Sequence, residues 1–394
     1  MENLPIVHVV NGRQKKLLQG HPWVYGNEIE RVEGEIEDGG LVTVVDFRGR
    51  YMGTGFYNSK SLITVRLLTH RQEEITDELI ASRVKAACDY RRFVMNRPGT
   101  DSCRLIYGEA DRLPGVIADR FGGVIVLQVL ALGMERFTQT IADALLACEK
   151  PNCLLLQNDD AIRRKEGMEC FTRVLYGTLP EENIIHENGV KLAVDVLGGQ
   201  KTGYFLDQKD NHLFVRQFCK DARVLDCFSY IGAFALNAAA ARAKEVTAVD
   251  ISEAAVQLIE KNAALNGADI TAVCANCFDF LRAQVKAGEK YDVVVLDPPA
   301  FTKAHANMAS ACRGYKEIAL SAMRLLPAGG VLATHSCSYH MPEEVFVNTV
   351  LSAAQDLHRQ VRVITLRRQD IDHPVLAGYP ESHYLKSLWL QMLD

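Results

Sequence analysis

The sequence predicts an α/β fold whose last half is a doubly wound parallel sheet, and three observations carry that prediction. From Lys191 onward, short apolar runs alternate with helical stretches in the order expected of parallel strands joined by crossover helices. Three of the apolar runs end in an aspartate, Asp226, Asp250 and Asp297, and in an open parallel sheet the residues just past the strand ends face the ligand. With 394 residues and roughly 150 per domain, the chain also has room for two or three domains.

Residues 1–71 read as short strands (IVHVV, LVTVVDF, YMGTGFY, SLITVRLL) separated by turns such as EDGG and FRGR, a small β-rich module. Asp77 to Asn96 is helical, with Leu79, Ile80, Val84, Ala87 and Phe93 on one face. Residues 72–190 otherwise mix strands (RLIYGEA, GVIVLQVL, NCLLLQN, TRVLYGTL) with a helix over Met134 to Cys148, an α+β module closed by the hairpin arm NGVKLAVDVLGG. Residues 191–394 then run RVLDCFS, helix GAFALNAAAA, EVTAVDI, helix EAAVQLIEKNAALNG, YDVVVLD, a helix near 315–326, GVLATHSC, a helix and a final strand.

Hydrophobic residues at 48% and charged residues at 24% exclude a disordered or fibrous chain. The opening MENLPIVHVVNGRQKK lacks the order of a signal peptide, and no run of about 18 uncharged apolar residues occurs. A cytoplasmic protein without a membrane partner is expected. The eleven cysteines are scattered and mostly embedded in apolar runs, so disulfides are not expected. A net charge of -5 counts against nucleic acid, whose phosphates need clustered cations. Two local clusters count the other way: Arg13, Lys15 and Lys16, and Arg91, Arg92 and Arg97, although each alone is more often a solvated face.

The loop after Asp226, DCFSYIGAF, holds only Gly232 where a dinucleotide fold would hold three glycines. A ligand without phosphate is therefore favoured, and S-adenosylmethionine, an adenosine joined to a sulfonium amino acid, fits, with Asp226 toward its cationic end. Asp250 stands where an acid accepts both ribose hydroxyls, the alternative being an N-cap of the next helix. Asn276 is placed to accept from the adenine amino group and Phe278 to pack on the ring. Cys274 and Cys277 have CxxC spacing but no second pair to complete a zinc site, so no metal is expected.

Asp297, Pro298, Pro299, Ala300 and Phe301 form the most specific local signal, because two prolines after a buried strand fix an extended turn that leaves a carboxylate facing the cleft. Such a turn suits a flipped base. Cys337 follows the strand GVLATH; its thiolate could add to C6 of a cytosine and activate C5. A packed core thiol is the alternative, and the flanking His335, Ser336, Ser338 and His340 favour the reactive reading, since such neighbours could support a thiolate.

Taken together, HPWVY, GGQKTGYFLDQKDNH, DCFSYIGAFAL, DPPAF, RGYKE, SCSYHM and PESHYLK resemble the 23S ribosomal RNA 5-methylcytosine methyltransferase I family over essentially the whole chain. The resemblance implies a PUA domain for RNA, a central α+β domain and a Rossmann-like class I methyltransferase domain acting on large-subunit ribosomal RNA. It implies Cys337 as nucleophile and Asp297 as the group that holds or protonates the cytosine at N3. It implies cofactor contacts from Asp226, Phe228, Gly232, Asp250 and Asn276, with Thr202, Phe205 and Gln208 folding over from the domain's start. Pro298, Pro299 and Phe301 would hold the base, and Arg13, Lys15 and Lys16 the RNA. Ala300 stands where many RNA cytosine-5 methyltransferases have a second cysteine, so the base that removes H5 stays unassigned. Tyr339 replaces a glycine often found after SCS. An amino-group methyltransferase acting on guanine N2 or adenine N6, and a non-catalytic assembly factor, are the rival readings, and whether the chain forms a homodimer is left open.

Overall fold

The computed structural model describes residues 4–302 and 307–394. At the N-terminus, β1 (Ile6–Val9), the short helix α1 (Gln14–Leu18), β2 (Trp23–Val24), β3 (Ile29–Glu33), β4 (Leu41–Val45), β5 (Tyr51–Tyr57) and β6 (Val65–Thr69) give one sheet in the order β2-β6-β5-β4-β1-β3. Alternating valines, Val7 and Val9 against Val42 and Val44, fill its core. Gly55 has no substitute in β5, because a Cβ there would lie 2.2 Å from the carbonyl oxygen of Arg66. β2 and β3 escape the sequence reading: one is two residues long, and the other, IERVE, is a largely exposed edge strand.

The next layer begins with α2 (Asp77–Val94), capped by the Thr76 hydroxyl, which accepts from the Leu79 N–H. Its buried face is Ile80, Arg83, Val84, Ala87, Cys88 and Arg91. Phe93, expected on that face, is 85% exposed instead. Arg91, read as part of a surface cluster, is a buried strut whose guanidinium donates to Asp111 and to the carbonyls of Arg104 and Asp372. Arg92 and Arg97 are likewise spent on Glu149 and Asp370.

A five-stranded sheet follows from β7 (Ser102–Tyr107), β8 (Val116–Phe121), β9 (Val124–Val129), the helix α3 (Thr138–Glu149), β10 (Cys153–Asn158), the short helix α4 (Ala161–Lys165) and β11 (Phe171–Gly177), in the order β11-β10-β9-β8-β7. β9 is buried along its whole length because both faces are covered. Ile125 and Leu127 face α2 and α3, whereas Val124 and Val126 belong to a second core with Ile185, Leu192, Tyr204, Leu206, Ile231 and Leu236. That second core joins this sheet to the C-terminal one through the hairpin β12 (Ile184–Glu187) and β13 (Val190–Ala193).

The C-terminal layer comprises α5 (Lys209–Cys219), β14 (Arg223–Cys227), α6 (Ala233–Ala240), β15 (Glu245–Asp250), α7 (Glu253–Asn266), β16 (Thr271–Cys274), α8 (Cys277–Ala287), β17 (Val293–Leu296), α9 (Met308–Leu325), β18 (Val331–Ser336), α10 (Glu343–Asp356), β19 (Val361–Arg367) and β20 (Lys386–Met392). Its seven strands run β16-β15-β14-β17-β18-β20-β19. The first five are parallel, and β20 is antiparallel to both neighbours, so the sheet is not parallel throughout. Strand order reverses between β14 and β17, which puts the ligand crevice at their carboxyl ends.

Between β19 and β20 the chain returns to the central sheet. There Asp370 and Asp372 are fully buried with Lys209, which bonds Asp372, while Arg104 donates its backbone N–H to the same carboxylate at 2.9 Å. No helix of the described residues is long and apolar enough to cross a membrane.

Candidate active site

A cavity of about 320 Å³ opens at the switch point, within the range of small-molecule sites. Its wall brings together the ends of β14, β15, β17 and β18 and the segment before α5. Phe205, Gln208, Phe228, Asp250, Asn276, Phe278, Asp297, Pro298, Pro299, Phe301 and Cys337 all line it. Thr202, Asp226 and Gly232 do not.

Each of those three has another task. Thr202 is 1% exposed and gives its hydroxyl to Asp119, which also holds Arg104 by two bonds of 2.7 Å. Asp226 lies behind the wall, where one carboxylate oxygen accepts from the Ser229 hydroxyl at 2.5 Å and the Ala235 N–H at 3.1 Å. It therefore clamps the loop onto α6, and burial pushes its carboxyl up to about 7 against those two hydrogen bonds. Gly232 starts α6 at φ 86°, a backbone state that glycine adopts freely.

At the far end, the Asp250 carboxylate accepts from the N–H groups of Tyr230 at 3.0 Å and Ser252 at 2.9 Å. Ser252, not Asp250, is the N-cap of α7. One bond per oxygen leaves lone pairs for two more donors. Asn276 caps α8 by accepting from Phe278 N at 2.9 Å. That fixes its amide, and the group it has to offer a ligand is chiefly the NH₂ donor rather than the acceptor expected. Phe278 packs 6.2 Å from Phe228 and 5.8 Å from Phe301, an apolar slot for a flat ring.

At the near end, burial pushes Asp297 up to about 7, with the neighbouring Asp207 acting in the same direction and Gln208 opposing. Burial also pushes the Cys337 thiol up to about 11, with Lys201 opposing and Asp297 and Asp207 adding to the rise. Three of the polar flanks expected to support its thiolate, His335, Ser336 and Ser338, are turned to other partners. His335 is buried against Phe234 and Trp389, and burial lowers it to about 3. Ser336 takes the Tyr315 hydroxyl, and Ser338 donates to the Thr302 carbonyl. What these neighbours do is hold the loop, together with Lys386, whose ammonium donates to the carbonyls of Ser338 and Tyr384 at 2.5 and 2.7 Å.

Sequence reasoning missed Asp207 and His212 in this wall. The Asp207 carboxylate faces burial, which would raise it, yet Lys201, His373 and Tyr384 hold it below the usual range. Both residues lie in the GGQKTGYFLDQKDNH segment, whose polar run gave no sign of which side chains turn inward. Outside the cavity wall, Arg13 and Lys15 stand exposed at α1, while Lys16 is paired with Glu28 at 2.6 Å and lies 4.5 Å over the Tyr25 ring.

Residues 7–70 match the PUA-like domain family, and residues 124–369 match the S-adenosylmethionine-dependent methyltransferase family. A Klebsiella pneumoniae (strain 342) protein named ribosomal RNA large subunit methyltransferase I is 42% identical over 388 residues, 97% of each chain. The chain belongs to that methyltransferase family. A Salmonella arizonae relative of the same name is 40% identical over 98% of this chain and 96% of its own. Among solved structures, a Streptococcus mutans protein described as an S-adenosylmethionine-dependent methyltransferase superposes with a TM-score of 0.84 at 20% identity, covering 98% of this chain and 99% of its own. A methyltransferase structure holding S-adenosylhomocysteine matches with the same score, identity and coverage, a likeness of fold.

The methyltransferase therefore uses S-adenosylmethionine, and its wall fits that donor. The aromatic slot of Phe228 and Phe278 suits adenine, and the spare lone pairs of Asp250 suit ribose hydroxyls.

Proposed function

We propose that this methyltransferase transfers a methyl group to C5 of a cytosine in large-subunit ribosomal RNA, with Cys337 as the attacking group. The observation that carries the reading is the meeting of Cys337, Asp297, Pro298 and Pro299 in the same wall as Asp250, Asn276 and Phe278. The substrate class follows the names of relatives matched along nearly the whole chain, and it implies work in the cytoplasm. Residues 1–71 serve as the RNA-binding module, 72–190 as the central layer and 191–394 as the catalytic layer.

S-adenosylmethionine supplies a methyl group on a sulfonium, open to attack by carbon. Cys337, once deprotonated, bonds C6 of the ring, and Asp297 gives its proton to N3 as the C5–C6 double bond breaks. C5 then carries the electron pair that takes the methyl. Loss of H5 to a base re-forms the double bond, expels the Cys337 thiolate, and lets N3 return its proton to Asp297. A carboxyl titrating near 7 is poised for both halves of that exchange. Pro298, Pro299 and Phe301 hold the extruded base.

RNA carrying 5-fluorocytosine at the target should be trapped as a stable adduct, because fluorine cannot leave as a proton. Cys337→Ala should abolish both trapping and turnover, by several orders of magnitude, with S-adenosylmethionine affinity within about threefold. The raised thiol is the observation that favours the amino-group reading. Substantial methylation by Cys337→Ala, or no adduct with the fluorinated RNA, decides for that reading.

A further inference from the structure

S-adenosylmethionine brings three charges into the cavity: a sulfonium, an ammonium and a carboxylate. For the first two the wall supplies Asp207, the carboxylate held below the usual range. For the third it supplies one group. Among the described wall residues none is lysine or arginine, and His212 is the one able to carry a positive charge.

His212 is 3% exposed, on the first turn of α5. Its Nδ1 lies 2.7 Å from Glu187 Oε1 and 3.2 Å from the Tyr204 hydroxyl, and its ring meets Phe234 edge-on at 4.5 Å. A carboxylate only accepts, so Nδ1 is the donor of that pair. Both hydrogen bonds of His212 among the described residues are at Nδ1, which leaves Nε2 for the cavity. In a singly protonated ring that Nε2 would be an acceptor and would repel a carboxylate. Doubly protonated, it donates, and Glu187, fully buried with its second oxygen unpartnered, balances the charge. Ile231, Ala233 and Phe234 line the same wall at the start of α6, where the Ala235 N–H is taken by Asp226 and the N–H groups of Ala233 and Phe234, which have no partner within the helix, favour an anion.

We propose that His212, oriented by Glu187, receives the α-carboxylate of S-adenosylmethionine. The assignment rests on the family's methyl donor and not on the base methylated, so its test stands or falls independently of Cys337.

The test is calorimetric, on the full-length protein without RNA, with S-adenosylmethionine and decarboxylated S-adenosylmethionine as the two ligands. They differ in the carboxylate alone. The wild type should prefer the complete donor by about thirtyfold or more, as expected for a charge-assisted hydrogen bond in a buried site. His212→Ala should cut that preference to below about threefold, by weakening the complete donor and sparing the decarboxylated one. Equal weakening of both, or an unchanged preference, would mean that His212 only packs the wall and would overturn the assignment. If His212→Ala lacks a cooperative thermal transition, Glu187→Gln decides. A preference reduced about tenfold by loss of affinity for the complete donor supports the proposal, and an unchanged preference sinks it.

Discussion

The two ends of the cavity are built on opposite principles. At the adenosine end the polar groups are helix and loop fasteners: Asp250 holds two backbone N–H groups, and Asn276 caps α8. At the reacting end Asp297 and Cys337 are half-buried, and loss of water around them pushes both the carboxyl and the thiol up. Recognition can share its residues with the scaffold, since a carboxylate has lone pairs to spare. Chemistry needs groups that the scaffold leaves in an uncomfortable state.

That contrast can be broken first at Asp297. Asp297→Asn should lower turnover by roughly 10²–10⁴, the usual worth of a positioned acid, while donor affinity measured by calorimetry stays within a few-fold. Its pH profile carries a sign. Below about 7 Asp297 is protonated and the thiolate fraction of Cys337 grows about tenfold per pH unit, so kcat/KM rises. Between about 7 and about 11 the gain in thiolate is offset by loss of the Asp297 proton, and the profile flattens. In Asp297→Asn the break near 7 should vanish; a break that persists would assign it to another group.

A smaller effect is expected at the opposite end. Asp250→Ala should weaken S-adenosylmethionine about 10- to 100-fold, the worth of one or two hydrogen bonds to a charged group, with turnover at saturating donor largely kept. A loss confined to turnover would erase the distinction between the two ends. Smallest is the change at α1, where Arg13→Gln with Lys15→Gln should weaken RNA binding a few-fold at low salt and flatten its salt dependence. Substitution is the sharper tool there than deletion of residues 1–71, because that module is bound into the central layer. Arg66 pairs with Glu109 and Glu166, and the Trp23 indole donates to Glu109.

The strands that build the crevice were legible because buried parallel strands read as continuous apolar runs, as RVLDC and VVVL do. α5 and α8 were not, since KDNHLFVRQFC and CFDFLRAQVKA bury a narrow stripe amid charge. At the site, Asp250, Asp297 and Cys337 stand at or just past the ends of their strands, where the sequence marks them by position together with the Asp-Pro-Pro turn and the family resemblance. Asp226 is the last residue but one of β14, and the Ser229 loop folds over it and takes its carboxylate, a tertiary event that no strand-end rule anticipates. His212 reaches the wall from a helix that precedes the first strand of its sheet, so only the packed structure brings it there.

One further consequence follows from β9. Since Val124 and Val126 share a core with Tyr204, Leu206 and Ile231, the wall of the donor cavity hangs partly from another layer. A cut near residue 190 would pass through the β12–β13 hairpin and bare that shared surface on both fragments. The catalytic layer is therefore not portable: a chimera grafting it onto a different RNA-binding partner must carry the central sheet along as part of the graft.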